Sequence, residues 1–176
     1  VGEALNQLTV WHEQGRRLKM AVNISARQLR DPHCCDRMLE RLSRGVVPLS
    51  ALELEVTETG LLTDLEANRR TLERLYQRGV SIAIDDFGTG YSSLAYLRHL
   101  PVNTLKIDRA FVEQLSEDPA DQAIVQAIIA MAHSLGVEVV AEGVDTDERA
   151  ALLTRMGCDI GQGYLFGRPV PAEQFP

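Results

Sequence analysis

The chain has 176 residues, 45% of them apolar and 24% charged, which is the balance of a folded domain and excludes extensive disorder. Lys and Arg number 18 against 25 Asp and Glu, a net charge of -7, so binding to a DNA or RNA duplex through a basic surface is excluded. An anionic ligand would need a cation between itself and this protein. The cysteines, Cys34, Cys35 and Cys158, form no C-x-x-C pair, so neither a zinc site nor a disulfide framework is expected. With no secretory segment and no apolar run near the roughly 20 residues of a membrane span, the chain reads as cytoplasmic, or as the cytoplasmic part of a membrane-anchored protein.

In chain order, Leu5, Leu8 and Trp11 predict a helix over 3–14, and a β-branched run predicts a strand over 18–24. Met38, Leu39 and Leu42 predict a helix over 36–44, followed by a strand over 52–57. Leu65, Leu72 and Leu75 predict a helix over 64–78, with Gly79 as its stop signal. Strands follow at 80–85 and 104–108, separated by a short helix at 92–97. Ile124, Val125, Ile128, Ile129 and Ala132 predict a helix over 120–135. A strand over 137–142, a helix over 146–156 and a weak strand near 158–163 complete the chain. Most strand runs lack polar alternation, as strands covered on both faces do. Strand–helix alternation implies βα units and a parallel sheet. No glycine follows the first strand, which argues against an open dinucleotide-binding sheet and for a (β/α) barrel.

The strand ends carry the chemistry. They read Asn23, Glu55 with Glu58 beyond it, Asp85-Asp86, Lys106 with Asp108, Glu142 and Gln162, at intervals of 32, 30, 21, 36 and 20 residues. A barrel of about 250 residues averages about 31 residues per unit and gathers its strand ends on one face. Like charges gathered there repel unless a cation bridges them. Oxygen donors without histidine or cysteine select Mg²⁺ or Mn²⁺, and the adjacent Asp85 and Asp86 suit a pair of such ions, as in phosphodiester hydrolysis. Asp86 also reads as a turn or N-cap residue. Lys106 suits orienting a water or stabilising phosphoryl charge, or else an internal salt bridge. The four histidines, His12, His33, His99 and His133, lie away from these ends and read as surface or partly packed residues. Asp85-Asp86-Phe87-Gly88-Thr89-Gly90-Tyr91-Ser92-Ser93 reads as a turn with an N-cap, or as a mobile loop holding the two aspartates, with Glu58 as its anchor.

Six motifs together resemble one family. They are Val22-Asn23-Ile24-Ser25-Ala26-Arg27-Gln28-Leu29, Glu53-Leu54-Glu55-Val56-Thr57-Glu58-Thr59, Asp85 to Leu94, Lys106-Ile107-Asp108, Ala141-Glu142-Gly143-Val144 and Gln162-Gly163-Tyr164-Leu165-Phe166. This succession is similar to that of EAL domains, bacterial phosphodiesterases of cyclic di-GMP. The resemblance implies a modified TIM barrel over residues 1–176 and hydrolysis of cyclic di-GMP to linear pGpG by two Mg²⁺ or Mn²⁺ ions. It implies Asn23, Glu55, Asp85, Asp86 and Glu142 as metal ligands, with Lys106, Glu142 and Glu58 as catalytic residues. Ser25, Arg27, Asp108, Gly143, Gln162 and Phe166 are implied as substrate-binding, and Phe87, Gly88, Thr89, Gly90, Tyr91 and Ser92 as a regulatory loop. A homodimer is implied, within a larger signalling protein carrying a sensory or GGDEF domain.

The front of the chain departs from the pattern. The family is named for a Glu-Ala-Leu triplet whose glutamate is a metal ligand at an early strand end. The triplet Glu3-Ala4-Leu5 falls inside a helical pattern and is read as a decoy. About six strands are visible where a barrel needs eight, so the barrel is expected to lack its N-terminal strands and one ligand. Exposed sheet edges would then favour dimerisation or low stability, and metal binding is expected to be weakened. The alternative function is a receptor that holds cyclic di-GMP without cleaving it.

Overall fold

The computed structural model describes residues 2–43, 47–89 and 94–175. Two compact units divide them, residues 1–84 with 93–102 and residues 85–92 with 103–176. The class is α/β, and the strand order β1-β2-β3-β4-β5-β6 is the sequential order of a TIM-like (β/α) barrel, with six strands among the described residues.

In the first unit, α1 (Gly2–Glu13) buries Leu5 and Leu8 and carries Glu3-Ala4-Leu5 within its first turns, as the helical spacing predicts. β1 (Met20–Asn23) pairs in parallel with β2 (Leu52–Thr57), Asn23 opposite Glu55. Between them Ser25 and Gln28 close a capping box on α2 (Ala26–Leu29), a helix missed by the periodicity because four residues show no period. α3 (Pro32–Ser43) begins four residues before the predicted start, since Pro32 serves as an initiating residue. Leu52, Leu54 and Val56 of β2 are fully buried and alternate with Glu53, Glu55 and Thr57, so this strand turns one apolar face to the core and carries Glu55 on the other. α4 (Glu58–Leu62) follows β2 directly, capped by the Thr57 hydroxyl, which accepts from the Gly60 amide. α5 (Leu65–Tyr76) covers the unit with Leu72 and Leu75, and α6 (Leu94–Leu97) adds the buried Tyr96 and Leu97.

β3 (Ser81–Phe87) runs from the first unit into the second, two residues past its predicted end. In the second unit β4 (Thr104–Ile107) is buried along its whole length. It pairs in parallel with β5 (Glu138–Glu142), and β5 with β6 (Ile160–Gln162), a strand of three residues. α7 (Arg109–Glu113), also missed in the sequence, is capped by Asp108. α8 (Pro119–Ser134) turns Val125, Ile128, Ile129 and Ala132 inward, and α9 (Asp147–Met156) ends on left-handed Gly157. Among the described residues no helix is long and apolar enough to cross a membrane.

Candidate metal centre

In the second unit two strand ends bring one acid group together. Asp85 and Asp86 lie near the end of β3, and Glu142 closes β5. Each offers a carboxylate oxygen within 4.8 Å of the others. Lys106, the third residue of buried β4, places Nζ 2.6 Å from Glu142 Oε1 and 3.1 Å from Asp85 Oδ1. The contact with Asp85 is an ion pair rather than a hydrogen bond, and Asp85 Oδ1, although buried, accepts no hydrogen bond. An apolar strand interrupted by a lysine is thus explained by two carboxylates waiting on its neighbours. The internal salt bridge read for Lys106 is present.

Asp86 adopts φ +54°, the left-handed region where Asp is tolerated because its short polar side chain bonds locally. Thr89 Oγ1 donates to its carbonyl at 2.9 Å, fixing the bend. Burial raises the Asp86 carboxyl above its ordinary pKa, and the negative charges of Asp85, Asp108 and Glu142 push it further, together with a hydrogen bond to Asp108. That surplus of negative charge, with a buried carboxylate oxygen that accepts no hydrogen bond, fits a divalent cation. The donors are all oxygen, which suits a hard ion. Asp85, Asp86 and Glu142 are the residues that would hold it.

The remaining predicted residues take other local roles. Asp108 caps α7, its Oδ1 accepting from the Ala110 amide at 2.7 Å. Gly143, at φ +71°, turns the chain beyond Glu142. An open cavity of about 180 Å³ is lined there by Arg109, Glu142, Gly143, Asp145, Gln162, Gly163 and Tyr164. Phe166 is 61% exposed. Phe87 is buried and Gly88 lies against the Phe111 ring, whereas Gly90, Tyr91 and Ser92 of the expected regulatory loop lie outside the described residues.

In the first unit, Asn23 and Glu55 are register partners at the ends of β1 and β2, and the Ile24 amide donates to the Glu55 carbonyl at 2.9 Å. Ser25 is occupied in capping α2, and Arg27 is exposed. Glu58 is 1% exposed and accepts a hydrogen bond from the Tyr96 hydroxyl at 3.0 Å. Burial and the Glu58 carboxylate push the Tyr96 phenol far up. A cavity of about 250 Å³ in this unit, lined by Leu65, Glu66, Arg69, Tyr96, His99 and Leu100, is larger than the one beside Glu142, but among the described residues Glu66 is the one carboxylate that lines it and no acid cluster meets there. His12 departs from the surface or partly packed reading. It is buried, its Nε2 bonded to the Leu18 carbonyl at 2.9 Å, because α1 must tie down the chain entering β1.

Comparison with known proteins returns one family. The sequence model of the EAL domain matches residues 1–169. The bifunctional diguanylate cyclase/cyclic di-GMP phosphodiesterase MucR of Pseudomonas aeruginosa is 47% identical over 98% of this chain and 25% of its own length. The signaling protein YkoW of Bacillus subtilis is 42% identical over 99% of this chain and 22% of its own. A solved structure of PaMucR phosphodiesterase in complex with c-di-GMP superposes with a TM-score of 0.92 at 47% identity, covering 98% of this chain and 70% of that one. The chain therefore spans about a quarter of the length of these curated relatives.

Proposed function

This chain belongs to the EAL domain family, and on that premise we propose that it serves metal-dependent hydrolysis of cyclic di-GMP to linear pGpG. The observation that carries the reading is the convergence of Asp85, Asp86 and Glu142 on one point, with Lys106 between two of them. Asn23 and Glu55 join the ligand set by the family resemblance, and Mg²⁺ or Mn²⁺ is the matching ion class. A pair of such ions supplies Lewis-acid charge for the phosphodiester when bound.

The chain's own residues do the rest. Asp85 and Glu142 hold the Lys106 ammonium in place, so its charge faces the acid group rather than solvent. A fixed cation at that point can hold a water by donation or offset charge growing on a phosphoryl oxygen. Strand β4 is covered on both faces and keeps Lys106 from swinging away. Ser25, Arg27, Asp108, Gly143, Gln162 and Phe166 are proposed to meet the dinucleotide. Glu58 is proposed to steady the segment 87–92 through its partners. Homodimerisation, a cytoplasmic setting and attachment to sensory or GGDEF domains complete the reading.

The test is incubation of the chain with cyclic di-GMP and Mn²⁺, followed by chromatography for pGpG. Product that disappears in Asp85→Asn and Glu142→Ala is the expected result. Binding without product selects a receptor, and the absence of both binding and product overturns the reading.

A further inference from the structure

The turn after Glu142 is gripped from two sides. On one side lies the Arg109 stem. A Cβ built on Gly143 would stand 2.4 Å from Arg109 Cγ and 3.1 Å from its Cβ, so a glycine is needed for the stem to cross. On the other side a Cβ on Gly163 would stand 2.2 Å from the Val144 carbonyl oxygen, so the two backbones are in direct apposition. The Val144 amide donates to the Gln162 carbonyl at 3.0 Å, and the Leu165 amide to the Val144 carbonyl at 3.2 Å.

The head of Arg109 closes the grip. It pairs with Glu113 one turn along α7, and its Nη2 lies 3.9 Å from Asp145 Oδ2. The other oxygen of Asp145 accepts the Tyr164 amide at 3.0 Å. Arg149 of α9 donates to the Glu113 carbonyl at 2.6 Å, holding the α7 end of the arrangement. The start of α7, the turn 143–145 and the exit from β6 therefore meet at one arginine, one residue away from an acid-group carboxylate.

We propose that Arg109 is a positioning residue for Glu142: its stem over Gly143 and its head on Asp145 fix the turn that aims the carboxylate at Asp85 and Asp86. The inference rests on the metal-site reading above. Residues that orient a ligand from behind change metal affinity about 10- to 100-fold when removed. Arg109→Ala should accordingly weaken Mn²⁺ binding by about tenfold at least. Arg109→Met keeps most of the stem and should lose less, and Asp145→Asn should lose the share due to the head.

The experiment is calorimetric titration of MnCl2 into the whole chain and these variants, with unfolding temperatures taken in EDTA alongside. Amide hydrogen exchange at Tyr164, also in EDTA, reads the Asp145 contact without any metal. Weaker Mn²⁺ binding in Arg109→Ala, graded as above, with faster Tyr164 exchange, is the expected result. A merely structural arginine would lower the unfolding temperature and leave the Mn²⁺ constant where it was, and that outcome overturns the inference while sparing the proposed function. Failure of the unsubstituted chain to bind Mn²⁺ overturns both.

Discussion

At the scale of single residues, Lys106 decides the charge balance of the second unit. Its ammonium is buried between Asp85 and Glu142. Removing one partner of a buried ion pair costs about 3–5 kcal/mol, because the charges left behind lose their compensation. Lys106→Met should therefore lower metal-free stability by about that amount, and saturating Mn²⁺ should restore part of it, since a divalent ion supplies the missing charge. Urea denaturation in EDTA and in Mn²⁺ checks this, and an EDTA midpoint equal to that of the unsubstituted chain would refute it. Asp86→Asn works in the opposite direction. Asn tolerates the φ +54° that Asp86 adopts, while removing one of the crowded negative charges. The expected outcome is a more stable metal-free protein that binds Mn²⁺ less tightly, read from the same two denaturation curves.

At the scale of elements, helices too short to persist alone are held by single side chains. α4 has five residues, well below the length at which an isolated helix forms. Asn68 of α5 is fully buried and donates to the Gly60 carbonyl at 3.3 Å and the Leu61 carbonyl at 2.9 Å. Asn68→Ala leaves buried carbonyls short of a donor and should cost about 1–3 kcal/mol in thermal or urea unfolding. Asp159 plays a similar part between α8 and β5, accepting from His133 Nε2 at 2.9 Å and from the Val139 amide at 2.8 Å. Burial works to raise its pKa, but the hydrogen bonds and the His133 charge outweigh it and hold the carboxyl below its ordinary 3.8. A depressed carboxylate pKa means stability that is present above 3.8 and lost as pH falls through the lower folded-state value. Asp159→Asn should thus lower the unfolding temperature at neutral pH and narrow its gap to the parent chain below pH 3.8; a constant gap across that range would count against the assignment. What the sequence makes legible follows the same division. Long periodic helices and continuously apolar strands announce themselves, and so does a lysine inside the apolar run of β4. α2, α4 and α7 do not, although the capping box of Ser25 and Gln28 and the caps Thr57 and Asp108 were readable signals for them. Asn68 and Arg109 act through contacts made only after folding, so no spacing rule reaches them.

At the scale of the whole molecule, the net charge of -7 sets how an anionic dinucleotide can bind. Two divalent cations would leave the chain still acidic overall, so attraction must come from local charge at the site rather than from the protein's distant field. Fields from exposed charges die away over about 8–10 Å at physiological salt, whereas an ion trapped between Asp85, Asp86 and Glu142 acts at contact distance. Binding of cyclic di-GMP should therefore depend steeply on Mn²⁺ concentration and weakly on NaCl. Titration calorimetry in EDTA should show no binding, and Asp85→Asn should resemble the EDTA sample even with Mn²⁺ present. Uptake of the dinucleotide in EDTA, at the strength seen with Mn²⁺, would place recognition in the side chains around Arg109 and Tyr164 and take the cation out of the account.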